Sequence, residues 1–224
     1  MDGSSDDHPP VVTLAALYGA GGGAIGPRVA DRLGVPYLAR VVGGNDAAPR
    51  WGRGDEGAGP LDDEPRTPLE RVTAGLGRLS TLTGGVGGSM ERLDAREGEV
   101  RSRVEELLAE ASRSGGVVLG RGGMVVLRSV PWALHVHLGG PPELRIARRM
   151  EHDGIDRATA EADQQAEDRA RISYVRRVYG ADGEDPRWYH LMLDSTALDD
   201  DTCVELIVAA AAARVRDPRP SPTI

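Results

Sequence analysis

The chain has 224 residues, a hydrophobic fraction of 40% and a formal net charge of −8. Its length suits one domain with a sizeable core, no apolar run is long enough to cross a bilayer, and the acidic balance argues against binding nucleic acid through a basic surface. A single cysteine, Cys203, rules out an internal disulfide framework and fits a reducing cytosol, so a cytoplasmic protein is expected. All 27 basic residues are arginine and none is lysine, so whatever this protein does to a phosphate it does without a lysine. Phe is absent and Asn45 is the one asparagine, a bias that reads as genome-wide.

In chain order, residues 1–10 read as an acidic, disordered leader and not as a secretory signal. Val11 to Leu17 is apolar enough for a central strand buried on both faces. A glycine-dense turn, Gly19 to Gly26, follows. Pro27 then suits the first turn of a helix carrying Ile25, Val29, Ala30 and Leu33 on one face and closed by Gly34. Val35 to Leu38 reads as a second strand. Asn45 to Pro68, rich in Gly, Asp, Pro and Arg, has no apolar period and reads as a long insert. Leu69 to Leu82 has weak helical spacing, and Glu91 to Arg113 is the clearest helix, with Leu93, Val100, Val104, Leu107, Leu108 and Ala111 on one stripe.

Val117 to Leu119 is a short buried strand ending in Gly120-Arg121-Gly122-Gly123, and Ala133 to Leu138 is another. Pro141-Pro142 opens a helix from Glu143 to His152, and Arg157 to Val178 is a highly charged helix. Leu191 to Asp194 is a last strand, and Asp199 to Asp201 place acid at the positive end of the alanine-rich helix Thr202 to Arg216. Residues 217–224 read as a disordered tail. Strands alternating with helices predict a three-layer α/β/α domain over residues 11–216 with a parallel sheet.

The chemistry concentrates in the glycine turn. Five glycines in eight residues between a strand and a helix present backbone N–H groups and a positive helix end to a phosphate. Gly21 and Gly26 have the separation of the phosphate-loop pattern G-x-x-x-x-G-K-[ST], but Pro27 and Arg28 stand where Lys and Ser or Thr belong. Gly21, Gly23 and Gly26 also fit the dinucleotide pattern G-x-G-x-x-G, as do Gly19, Gly21 and Ala24 in its relaxed form. That pattern wants an acid at the end of the second strand, where Leu38-Ala39-Arg40 offers none. A third possibility is a turn whose glycines serve only strand–helix packing.

Further motifs bear on the choice. Y-G-A-G-G-G-A-I-G followed by G-V-P-Y-L resembles the cytidylate kinase-like family of nucleoside monophosphate kinases. L-G-R-G-G-M-V-V-L-R-S-V-P-W-A-L-H-V-H-L-G-G-P-P-E-L-R is similar to its second core block. D-G-I-D-R-A-T-A-E, E-D-R-A-R-I-S-Y-V-R-R-V-Y-G, Y-H-L-M-L-D-S-T-A-L and C-V-E-L-I resemble its third. The blocks cover residues 11–40 and 117–208 in order, while residues 41–116 form a variable insert and helix. The resemblance implies a P-loop NTPase-type fold with a small helical insert or lid-like region over 155–189. It implies ATP with Mg²⁺ as phosphoryl donor and a pyrimidine nucleoside monophosphate, CMP or a relative, as acceptor.

The resemblance puts the donor phosphates on Gly19, Gly21, Gly22, Gly23 and Gly26, and the acceptor on Gly120 and Arg121 with Arg40 as a further contact. It makes Asp168, Arg169 and Arg171 the part of the lid that acts on the transferring phosphate. Arginine forks, which bind phosphate oxygens bidentately and stay charged, suit that work. The plain alternative for these arginines is a solvated helix face laced by acid–base pairs. Three positions depart from the family pattern: Gly23, where a basic or polar side chain is common; Ala39, where aspartate is common; and Gly122, where cytidylate kinases proper have aspartate. A catalytically silent nucleotide-binding or regulatory protein with a degenerate loop is therefore the alternative to a kinase, and an NAD(P)-binding domain is a third.

Lesser candidates are Asp194, as an aid to Mg²⁺ or as a cap with Ser195 and Thr196, and the pair His135 and His137, two apart on one strand face. No dedicated protein metal site is expected. Small-molecule nucleotides are the expected partners, with neither nucleic acid nor membrane.

Overall fold

The computed structural model of the chain describes residues 8–39, 51–52, 101–102 and 104–221. β1 (Val11–Ala16) leads through the glycine turn into α1 (Gly22–Leu33), and the chain then forms β2 (Tyr37–Ala39) and β3 (Trp51–Gly52). A helix over 104–114 (α2) precedes β4 (Gly116–Leu119), the short α3 (Gly123–Val126) and β5 (Ala133–Gly139). Then come α4 (Pro142–Asp153), α5 (Arg157–Tyr179), a 3-10 turn at Pro186–Trp188, β6 (Leu191–Asp194) and α6 (Asp200–Arg216).

The sheet runs β3-β2-β4-β1-β5-β6, with every pairing parallel except β2 with β3. This is the expected α/β/α architecture. Alternation along the strands divides the core. Val12, Leu14 and Ala16 of β1, with Val117, Leu119, Leu134, Val136 and Leu138, pack beneath α1 and α6. On the other face Val11, Val118 and Ala133 meet Val104, Leu108 and Ala111 of α2. A third cluster, Met124, Tyr174, Val175 and Ala181, fastens α3 to α5.

β1 lies between β4 and β5, and the chain leaves it first towards β2 and later, from β4, crosses it to reach β5. Such a reversal opens a crevice at the carboxyl ends of the strands, where ligands bind in open α/β sheets. The glycine turn, Gly120-Arg121 and Gly139-Gly140 all sit on that edge.

Two expectations need correcting. The first helix starts at Gly22 and not at Pro27, because Gly21 turns the chain straight into helix in a left-handed conformation (φ 74°). Pro27 therefore lies inside α1, costing the intrahelical bond to the Gly23 carbonyl. The insert over Asn45 to Pro68 carries β3. The expected helix over 69–82 and the start of the one over 91–113 lie outside the described residues.

Candidate functional site

The loop after β1 is built so that its carbonyls point away from the crevice. The Leu17 carbonyl accepts from Ala20 N–H at 3.0 Å. The Tyr18 carbonyl accepts from Arg145 Nη1 at 2.6 Å, and the Ala20 carbonyl from Ser195 Oγ at 2.8 Å. The Tyr18 N–H donates to Asp168 Oδ1 at 3.0 Å. With those groups tied down, the N–H groups of Gly21, Gly22 and Gly23, at the start of α1, meet no acceptor among the described residues. An array of N–H groups at a helix N-terminus is a ready anion cradle.

Gly26 lies one turn deeper, buried in α1, where a β-carbon would come within 2.6 Å of the Tyr37 ring. Its lack of a side chain serves close packing of helix on strand. Gly19 backs onto the Arg145 carbonyl. Arg28, at the position after Pro27, forms an ion pair with Asp201 of α6 and so turns away from the loop.

The positive charge beside the loop comes from α4. Arg145 is almost fully buried and bonds Gly140 O (2.9 Å), Tyr18 O and Asp168 Oδ2 (3.0 Å), joining four segments of chain. Arg149 lies 5.1 Å from the Tyr18 ring centroid and pairs with Asp153. The Arg148 guanidinium sits where a β-carbon on Gly21 would come within 2.5 Å of it, held by Asp200 (2.8 Å) and the Ser195 carbonyl (3.1 Å). Sequence reasoning passed over all three. The available signal was an R-x-x-R-R run directly after a strand, in a chain without lysine.

Across the crevice, Arg121 stands at the end of β4, its side chain one-tenth exposed and 3.7 Å from Glu167. Gly122 caps α3 in a left-handed conformation (φ 81°), pressed under the Tyr179 ring. Arg121 borders a cleft of about 340 Å³ lined also by Leu17, Gly120, His137, Arg171, Glu184 and Tyr189. α5 brings Asp168 and Arg171 to this side because they lie three residues apart on one face. Arg169 is exposed on another face and does not join them. Asp168 is shared among Tyr18 N–H, Arg145 and Gln164 (2.7 Å), so it braces the loop. Arg40 lies outside the described residues.

These observations meet in one comparison. Residues 11–197 match the family described as "Cytidylate kinase-like family". The chain belongs to the cytidylate kinase-like family. A solved structure of an uncharacterized protein from Eubacterium ventriosum shares the fold, with a TM-score of 0.61 at 16% identity over 92% of this chain and 99% of that one. A gluconokinase from Sinorhizobium meliloti, 16% identical over 94% of this chain and 95% of its own, has a TM-score of 0.49, too distant to bear on activity. A uronate isomerase from Corynebacterium glutamicum is 29% identical over 120 residues, and the match spans 54% of this chain but only 23% of that protein.

Cytidylate kinase-like proteins of the P-loop type generally use ATP with Mg²⁺. Here the described residues hold no group of three or more His, Cys, Asp or Glu that suits a metal ion. Asp194 Oδ1 is engaged by Thr196 N–H (2.9 Å), Thr196 Oγ1 (2.5 Å) and Ala197 N–H (3.2 Å). Those bonds hold its carboxyl below the usual range. A magnesium ion brought with the nucleotide would be held mainly by nucleotide oxygens and water, its ordinary habit.

The capping expectation for Asp194-Ser195-Thr196 thus holds for Thr196. Ser195 differs: 2% exposed, its hydroxyl reaches Ala20 O and Gly139 O (3.2 Å) and fastens the glycine loop. His135 and His137 share a face, but His135 Nδ1 pairs with Thr13 Oγ1 at 2.9 Å and its ring stacks on His190, 4.8 Å away. Cys203 is fully buried in α6 as a core residue.

Proposed function

We propose that this protein transfers the γ-phosphoryl group of ATP to CMP or a related pyrimidine nucleoside monophosphate. The observation that carries the reading is the array of unbonded Gly21, Gly22 and Gly23 N–H groups at the same carboxyl edge of the sheet as a cleft that holds Arg121 and Arg171. In this reading the amides take the donor phosphates, and Arg148 beside Gly21 supplies the charge a lysine would otherwise bring. Arg121 holds the acceptor phosphate, and Arg171 neutralises charge on the group in transit. An acceptor phosphate oxygen attacks the γ-phosphorus while the bond to the ADP oxygen breaks. That oxygen is already ionised near pH 7, so the reaction asks for alignment and charge neutralisation more than for a base.

Coupled ADP release across CMP, dCMP, UMP, AMP and GMP tests the proposal. Turnover with a pyrimidine monophosphate supports it. Nucleotide binding with no turnover on any acceptor supports instead the silent, regulatory alternative, favoured by one observation: Arg28 is spent on Asp201, leaving no basic side chain on the loop itself. We also propose residence in a reducing compartment, on the single buried thiol. No helix among the described residues is long and apolar enough to cross a membrane.

A further inference from the structure

The cleft beside the loop also holds an imidazole that no group of the described residues hydrogen-bonds. His137, on β5 beside Ala15 of β1, is 9% exposed and lines the 340 Å³ cleft with Arg121 and Arg171. Its ring leans towards the carboxyl end of the strand. A β-carbon on Gly139 would meet Cε1 at 3.0 Å and Nδ1 at 3.4 Å, with Leu17 Cδ1 at 3.5 Å from the same point. The absence of a side chain at 139 is thus what leaves room for the imidazole beside Leu17. The Tyr189 ring meets it edge-on at 5.0 Å, and neither ring nitrogen has a hydrogen-bond partner among the described residues.

Polar groups inside a protein are nearly always hydrogen-bonded, and an imidazole that lines a cleft with no protein partner for its nitrogens is placed to bond whatever occupies that cleft. Burial and the nearby Arg171 and Arg145 push the imidazole down to about pKa 4, against which Asp168 acts weakly. At neutral pH the ring therefore offers one N–H donor and one bare acceptor nitrogen. A phosphate oxygen satisfies only the donor, and arginine has no acceptor to give. The bare nitrogen bonds water in the open cleft, and a ligand that displaces that water keeps the bond only by bringing an O–H or N–H of its own.

We propose that His137 contacts the acceptor substrate, taking a hydrogen bond from a hydroxyl or amino group of the same phosphate ester whose phosphate Arg121 and Arg171 hold. The inference rests on the acceptor cleft of the proposed function and names what reads the acceptor beyond its phosphate. A ribose hydroxyl and the exocyclic amine of cytosine are the two sources of that hydrogen. A site built to bond such a group discriminates against the analogue that lacks it.

The test is calorimetric titration of CMP, dCMP and UMP into the full chain, as wild type, His137→Leu and His137→Gln. Leucine fills the space without bonding, and glutamine restores both a donor and an acceptor. The wild type is expected to bind CMP roughly 3- to 10-fold tighter than the analogue lacking the bonded group, the measure of one neutral hydrogen bond. Loss of preference over dCMP would identify the hydroxyl, and over UMP the amine. His137→Leu is expected to abolish that preference by weakening CMP alone, and His137→Gln to recover part of it. Wild-type ratios in His137→Leu, with CMP still bound, would overturn the inference while leaving the acceptor cleft intact. Failure of the wild type to bind any of the three would instead overturn the proposed function beneath it.

Discussion

At the scale of single residues, the two arginines at 169 and 171 separate a cleft-lining side chain from a solvated charge. Arg171 lines the cleft with Arg121 and His137, whereas Arg169 points to solvent from another face of α5. If the proposed transfer occurs, Arg171→Ala should lower kcat/KM at least about 100-fold, since an arginine on the transferring group is worth 10³–10⁵ in well-studied cases. Arg169→Ala should change it less than about 2-fold. Steady-state kinetics on the two variants checks this, and equal losses would mean that both act through the stability of α5. Gly122 offers a test free of function. Its left-handed backbone and the Tyr179 ring pressed against it leave no room for a methyl group. Gly122→Ala should therefore destabilise by about 2–4 kcal/mol, combining backbone strain with overpacking, read as a fall of roughly 4–16 °C in Tm for a chain of this size.

Among elements, the loop is shaped by clamps from outside it. Ser195 at the end of β6 and Arg145 on α4 take its carbonyls, and Asp168 on α5 takes an N–H. Ser195→Ala leaves the buried Ala20 carbonyl without its donor and should cost about 1–3 kcal/mol. The same substitution should raise KM for the nucleotide, because the loop's N–H groups lose their fixed aim. Arg145 and Asp168 form a buried pair, with side chains 3% and 13% exposed. Removing one charge should cost about 3–5 kcal/mol, and Arg145→Met with Asp168→Leu together should cost clearly less than the sum. Urea denaturation of the two single variants and the double measures the coupling; strict additivity would show that the pair is not a unit.

This arrangement also explains what was legible in the sequence. The strands β1, β4, β5 and β6 could be read to within a residue because each is a short, largely apolar run bounded by glycine, proline or polar residues. The glycine turn could be read, by its place between strand and helix, as a run of backbone N–H groups at a helix N-terminus. Arg145 could not be read as buried, since burying an arginine depends on Tyr18, Gly140 and Asp168, each remote or on another element. Nor could Arg171 be told from Arg169. α5 is charged around most of its circumference and buries only Ala160, Tyr174 and Val175, so its periodicity does not announce an inner face. α3, four residues with two valines, is too short to show a period at all.

For the molecule as a whole, the histidines dictate how stability depends on pH. Burial pushes His135 down to about pKa 3, helped by His190 and Arg214, and pushes His190 down to about 4, again with Arg214 adding. His137 falls to about 4 for the reasons already given. His190 Nδ1 accepts the His135 N–H at 3.0 Å while its Nε2 lies 3.1 Å from Ser221 Oγ, an arrangement that suits the neutral ring. In the unfolded chain all three titrate near 6.5, so between pH 6.5 and about 4 the unfolded state binds more protons than the folded one. Stability is therefore level with respect to these groups above pH 6.5 and falls as the pH drops below it. A fully buried neutral histidine contributes about 1.4 kcal/mol per pH unit in that window. With His190 discounted for its contact with solvent, the three together give roughly 2–4 kcal/mol per unit. Urea denaturation at pH 7.5, 6.5, 5.5 and 5.0 should show this slope, and His135→Gln with His190→Gln should flatten it by about half. A wild-type profile level down to pH 5 would mean that the rings are protonated in the fold, and the stacked pair at the base of the sheet would then have to open to admit water.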